Sequence, residues 1–175
     1  MTSTQQQQSV GMRPEGEERR ARVIVLAMGN DILGDDAVGF LAARALRSEF
    51  TSQVDFIETG EAGLALVELL EGYEKALLLD ASATGRYDVG SVLEFTTNDF
   101  SRVVAPSPHY AGLPEVLYLG KSLGLKFPED IRILAMEVED PFTVREELSP
   151  AVEAALPRFI ERAREVVREL LADTK

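Results

Sequence analysis

Cysteine is absent from these 175 residues and histidine occurs once. Without cysteine there is no disulfide framework, no thiolate cage for a metal and no thiol nucleophile, a usage that agrees with a reducing cytoplasm. Basic residues are also scarce. Eighteen Lys and Arg stand against 30 Asp and Glu, a formal charge of -12, which repels phosphate backbones and anionic membrane surfaces and so disfavours nucleic acid as a partner. Missing too is any apolar run near the roughly 20 residues that span a bilayer. Arg19 and Arg20 precede the apolar stretch ARVIVLAMG, but the acidic loop after Asn30 cuts it short, so a first strand is expected there rather than an export signal. These absences predict a cytoplasmic protein that engages neither membrane nor nucleic acid.

With 45% hydrophobic residues, a chain of this length can bury one ordinary core without staples. Residues 1–20 hold the glutamine run MTSTQQQQS and a charged stretch with little to bury, so a disordered tail is expected there, followed by a single α/β domain over 21–175. From Arg22 onward, short β-rich runs alternate with helical patterns, which signals βαβ units around a mostly parallel sheet of about five strands. RVIVLA, VDFIE, KALLLD, VLEFT and IRILAMEV are the predicted strands. Val38, Leu41, Ala42, Ala45 and Leu46 recur at helical spacing, with Arg44 and Arg47 opposite. LALVELL reads as a short helix, and Leu113 to Leu123 as another, with Pro114 tolerated in its first turn. A last amphipathic stripe runs from Val152 to Leu170, with Ser149 as its N-cap and Pro157 predicting a kink or a later start.

In such a sheet, ligands bind beyond the carboxyl ends of the strands. Four features fall there: Asp36 in GNDILGDD after the first strand, the Gly60 to Gly63 turn after the second, Asp80 at the end of ALLLD, and His109 in SPHYAGLP. Two carboxylates and an imidazole can hold a borderline divalent metal such as nickel or zinc, and a site so poor in nitrogen and sulfur holds it weakly. Such a site suits a metal that a partner already carries. Other readings of the same residues stand beside this one. Asp35 and Asp36 are suited to cap the following helix, and Asp80 to accept hydrogen bonds in a turn. Asp36 and Asp80 sharing a proton would form an aspartic-type dyad, which leaves the histidine without a role. Ser82 or Ser107 with His109 would make a serine nucleophile, but no Gly-x-Ser-x-Gly elbow exists. GNDILGDD is not a Gly-x-Gly-x-x-Gly turn, and its aspartates oppose a pyrophosphate.

From about Val23 to the last helix, the chain resembles the hydrogenase maturation endopeptidases, the nickel-dependent proteases that trim the C-terminal tail of a [NiFe]-hydrogenase large subunit. GNDILGDDAVG matches the family's first loop, LLLDA its central strand and SPHYAGL its histidine loop. The resemblance implies a three-layer αβα sandwich, and it carries the metal ligands over to Asp36, Asp80 and His109. It further implies one cleavage of a nickel-loaded large-subunit precursor by an enzyme often classed as aspartic-type. The nickel would arrive with the substrate, zinc or cadmium being able to substitute in vitro, and a monomer is expected. Gly29, Asn30, Gly60 and Gly63 would shape the cleft around the peptide. The chain departs from the family at Ala27, where glycine is frequent, near Glu147, where the family has a glycine ahead of the LSP string, and at Glu61, which replaces a neutral residue and adds charge beside the expected substrate groove. Two alternatives predict different outcomes: a module that binds nickel or an assembly partner without cleaving, and a general aspartic-type hydrolase using Asp36 and Asp80.

Overall fold

The computed structural model describes residues 22–96, 99 and 113–172; the stretch 1–20 and the loop carrying His109 lie outside the described residues. Five strands, β1 (Val23–Met28), β2 (Val54–Thr59), β3 (Lys75–Ser82), β4 (Val92–Thr96) and β5 (Asp130–Glu137), form one sheet in the order β2-β1-β3-β5-β4. All neighbours are parallel except β4, which runs antiparallel to β5 at the edge. Helices α1 (Val38–Phe50), α2 (Ala65–Leu70), α3 (Leu113–Ser122) and α4 (Pro150–Ala172) flank the sheet, and a 3-10 turn, Gly34–Ala37, leads into α1.

Alternation along the central strands sorts the side chains between two cores. Val23, Val25 and Ala27 of β1, with Leu77, Leu79 and Ala81 of β3, meet α1 and α4. Ile24, Leu26 and Met28, with Ala76 and Leu78, meet α2 and α3 on the other face. The molecule is therefore a three-layer αβα sandwich. Because β3 pairs with β5 in unbroken register through Ser82, the same alternation assigns Asp80 and Glu137 to the face covered by α2 and α3.

The last helix differs from expectation at its beginning. It runs continuously from Pro150 with Pro157 inside it, so the later start is not observed. Pro150 occupies the first turn, where a missing donor costs nothing. Pro157 lies on the exposed face, where water can reach the carbonyl it leaves unbonded. Its penalty of about 3 kcal/mol is outweighed by burial of Val152, Phe159, Ala163, Val166, Val167 and Leu170, at roughly 1.5–3 kcal/mol for each large side chain. The Ser149 hydroxyl has no hydrogen-bond partner, so it does not cap the helix as expected. In α1 the buried residues are Val38, Gly39, Phe40, Ala42, Ala43, Leu46 and Phe50, while Leu41 is half-buried and Ala45 faces outward. Among the described residues no helix is long and apolar enough to cross a membrane.

Candidate active site

The chain leaves β1 toward α1 and β2 on one side, while β3 is laid down on the other. The carboxyl ends of β1 and β3 thus flank a topological switch point, where open α/β sheets build their ligand crevice. The start of α1 sits directly on it. A Cβ at Gly39 would come 2.6 Å from the Leu79 carbonyl oxygen and 2.9 Å from that of Met28, so only glycine lets the helix approach both strands so closely.

Asp36 is carried by the 3-10 turn, which packs against β3. Its loop is folded by local bonds. Asn30 Oδ1 accepts from the Ile32 amide at 3.1 Å, an Asx turn, and the Asn30 carbonyl accepts from the Leu33 amide at 3.2 Å. At Gly29, with φ 145°, a Cβ would stand 2.1 Å from the Asp36 carbonyl oxygen and 3.7 Å from Oδ2. Gly29 also donates to the Thr59 carbonyl at 3.1 Å, and the Cβ position of Gly60 lies 3.5 Å from the Gly29 carbonyl oxygen. Gly29, Gly60 and Asp36 therefore share one corner. Asn30 is exposed beside it, and Gly63, at the far end of the β2–α2 loop, accepts from the Leu66 amide at 3.1 Å. The Glu61 amide is held by the Thr59 hydroxyl at 3.0 Å, with the residue itself exposed.

Asp80 is fully buried, two residues inside the end of β3, and its Oδ1 accepts from the Ala81 amide at 2.8 Å. It stands in a strand, so the turn-forming role does not apply. Asp35 and Asp36 do not act as simple caps either: neither the 3-10 turn nor α1 has a side-chain cap bond. Asp35, wholly buried, instead reaches across to the segment before α4, pairing with Arg145 at 2.8 Å and accepting from the Ser149 amide at 2.6 Å. Nothing in the residue pattern announced that link, since 110 positions separate the partners.

A second unannounced group is Glu137, buried at the end of β5, whose carboxylate accepts from the Thr84 hydroxyl at 2.9 Å and the Gly85 amide at 2.7 Å. Among the described residues the buried polar side chains are Asp35, Asp36, Asp80, Ser82 and Glu137, all on the carboxyl rim. Ser82 lies within β3 and not on a strand-to-helix turn. Burying carboxylates costs several kcal/mol per ion unless charge or hydrogen bonds compensate, and Asp35, Asp80 and Glu137 each accept at least one hydrogen bond at this rim. Among the described residues no group of three His, Cys, Asp or Glu side chains is placed to hold a metal. His109 and Ser107 lie outside the described residues.

Residues 40–166 match the family described as HycI, hydrogenase maturation protease. The chain belongs to the hydrogenase maturation protease family. It is similar to the hydrogenase 2 maturation protease of Escherichia coli strain K12, at 24% identity over 85% of this chain and 92% of that protein. It is also similar to the hydrogenase expression/formation protein HupD of Rhizobium leguminosarum bv. viciae, at 26% identity over 89% of this chain and 78% of the relative. Among solved structures, the maturating endopeptidase HybD of E. coli superposes with a TM-score of 0.72 at 25% identity, covering 85% of this chain and 93% of that one. The [NiFe] hydrogenase maturation protease HybD of Thermococcus kodakarensis gives 0.67 at 27%, covering 83% and 98%. As a member of a protease family the protein is a peptidase, and its sandwich is the fold of these endopeptidases. The matched stretch includes Asp80 and begins four residues after Asp36.

Proposed function

We propose that the protein is a cytoplasmic, monomeric endopeptidase that removes the C-terminal extension of a nickel-loaded [NiFe]-hydrogenase large-subunit precursor, with Asp36, Asp80 and His109 contacting the nickel that the precursor carries. The observation that carries this reading is the pair of buried aspartates on the two strand ends of the switch point: Asp36 on the turn against β3, Asp80 within β3. His109 precedes Leu113, the first residue of α3, by four positions, and α3 covers the sheet face to which alternation assigns Asp80.

Two carboxylates and one imidazole suit a borderline cation such as nickel, zinc or cadmium, yet bind it too weakly to own it. That weakness fits the task. A protease that completes a shared coordination sphere gains affinity for loaded over empty precursor, and only such a differential selects between them. The nickel supplies Lewis acidity near the scissile carbonyl. The chain's own residues do the remainder: Asp36 and Asp80 present anionic oxygens from fixed backbone, and Gly29, Asn30, Gly60 and Gly63 leave room for the peptide. The exposed Glu61 beside this corner biases the cleft against acidic tails.

The test is mass spectrometry of nickel-loaded and nickel-free precursor after incubation with the protein. Loss of the tail from the loaded form alone is expected, and Asp80→Ala or His109→Ala abolishes it while far-UV circular dichroism is unchanged. Unimpaired trimming by both variants would rule out the assigned site, and an intact precursor retained by the wild-type protein would mark a binding module instead.

A further inference from the structure

The turn that carries Asp36 is clamped from outside the sheet. Arg145 runs beside it as a short parallel bridge to Leu33, with the Gly34 amide donating to the Arg145 carbonyl at 2.9 Å and the Arg145 amide to the Ile32 carbonyl at 3.0 Å. The arginine's stem lies on Gly34, where a Cβ would come 2.5 Å from its Cγ. Its guanidinium then reaches the wholly buried Asp35 at 2.8 Å, and the other oxygen of that carboxylate takes the Ser149 amide at 2.6 Å, one residue before α4. Main chain, stem and charge therefore all bind residues 32–35 to residues 145–149, and Asp36 is the next residue along.

We propose that Asp35 and Arg145 are a positioning pair for the reaction, fixing the rotamer and direction of the Asp36 carboxylate. The carboxylate of this pair is wholly buried while the Arg145 side chain is 35% exposed; an ion pair of this kind adds little net stability over a well-packed apolar replacement, whereas its hydrogen-bond geometry confers a defined arrangement. Around a shared cation, an oxygen displaced by about 1 Å costs on the order of 10²-fold in rate. The inference rests on the proposed role of Asp36, but its primary readout does not.

The experiment uses the full chain with ¹³C-labelled aspartate, the Asp36 carboxyl resonance being assigned through Asp36→Asn. Arg145→Met leaves a buried carboxylate alone and is expected to unfold readily, so the decisive variant is Asp35→Asn combined with Arg145→Met, which removes both charges; Arg145→Lys is the conservative control. In the folded double variant the Asp36 side-chain couplings should change from one rotamer to an average, kcat for precursor trimming should fall about 10²-fold with KM within a factor of three, and Arg145→Lys should restore part of both. A double variant that does not fold, with Arg145→Lys as wild type, overturns the proposal in favour of a purely structural clamp. Unchanged couplings in the folded double variant overturn it as well, as does averaging with undiminished kcat. If the wild-type protein trims nothing while the couplings still average, the positioning role stands and the proposed peptidase reaction falls.

Discussion

The two ends of the sheet are built on opposite plans. At the carboxyl rim, acids are buried: Asp35, Asp36, Asp80 and Glu137 lie there, and Asp35, Asp80 and Glu137 are held by backbone amides, Thr84 and Arg145. At the amino rim, charges pair in water, as Arg22 and Lys126 do with Glu74. Two clefts lie there, about 490 Å³ around Tyr73, Lys75 and Phe127 and about 520 Å³ around Leu117, Leu125 and Phe127. Buried charge is the better guide, because a desolvated carboxylate is costly and is retained where it acts, whereas a cleft lined by solvated Lys and Glu costs little to leave open.

The sharpest way to break this comparison is to remove one charge from each rim. Asp80→Ala should abolish precursor trimming, a loss of at least the about 10²-fold that removing one preorganised charged group costs. Lys126→Ala should leave it within twofold and the stability within about 0.5 kcal/mol. Single-turnover trimming followed by mass spectrometry reads both. Equal losses at the two rims would remove the distinction.

The layering was legible because KALLLD and RVIVLA are apolar on both faces, as strands buried between two helix layers must be, and because GNDILGDD and the Gly60 to Gly63 turn stand where strands end. Asp36 and Asp80 were legible as candidates for the same reason. What escaped was tertiary. The α1 stripe rotates to bury Ala43 rather than Ala45 because Gly39 lets the helix sit against Leu79 and Met28, a contact no periodicity encodes. The partner of Asp35 is an ordinary arginine 110 residues away, and Glu137 looked like one more acid in an acidic chain. Pro157 left a kink and a later start both open, and the helix begins at Pro150, because the cost of a proline depends on whether position 157 faces water or core, which a local pattern does not decide.

Backbone contact at the carboxyl rim supplies the next test. Gly39→Ala forces a Cβ against two carbonyl oxygens and should destabilise by about 1–3 kcal/mol, the usual range for overpacking, read as a lower denaturant midpoint at unchanged m. Because the displaced helix start carries the 3-10 turn with it, trimming should fall too. Glu137→Ala strands the Thr84 hydroxyl and Gly85 amide and should cost about 1–3 kcal/mol. Glu137→Gln keeps an acceptor for them and should cost less. If the two Glu137 variants are equally stable, the carboxylate's hydrogen bonds do not hold the 83–90 loop.

The smallest effect belongs to a pair on neither rim. Glu49 on α1 receives the guanidinium of Arg164 at 2.8 Å and that of Arg168 at 2.7 Å from α4, and the hydrogen bond from Arg164 is the main reason its carboxyl titrates below the ordinary value of 4.5. A depressed folded-state value means that the charged form is favoured by folding, so the stabilisation is fully present above the unfolded value and disappears as pH falls through the folded one. Glu49→Gln should therefore lower Tm slightly at pH 7, as exposed pairs do, and the gap between variant and wild type should narrow steadily below pH 4.5. A difference that persists unchanged into strong acid would mean that Glu49 acts through packing rather than charge, and that the two helices on this face are not joined by the ion pair.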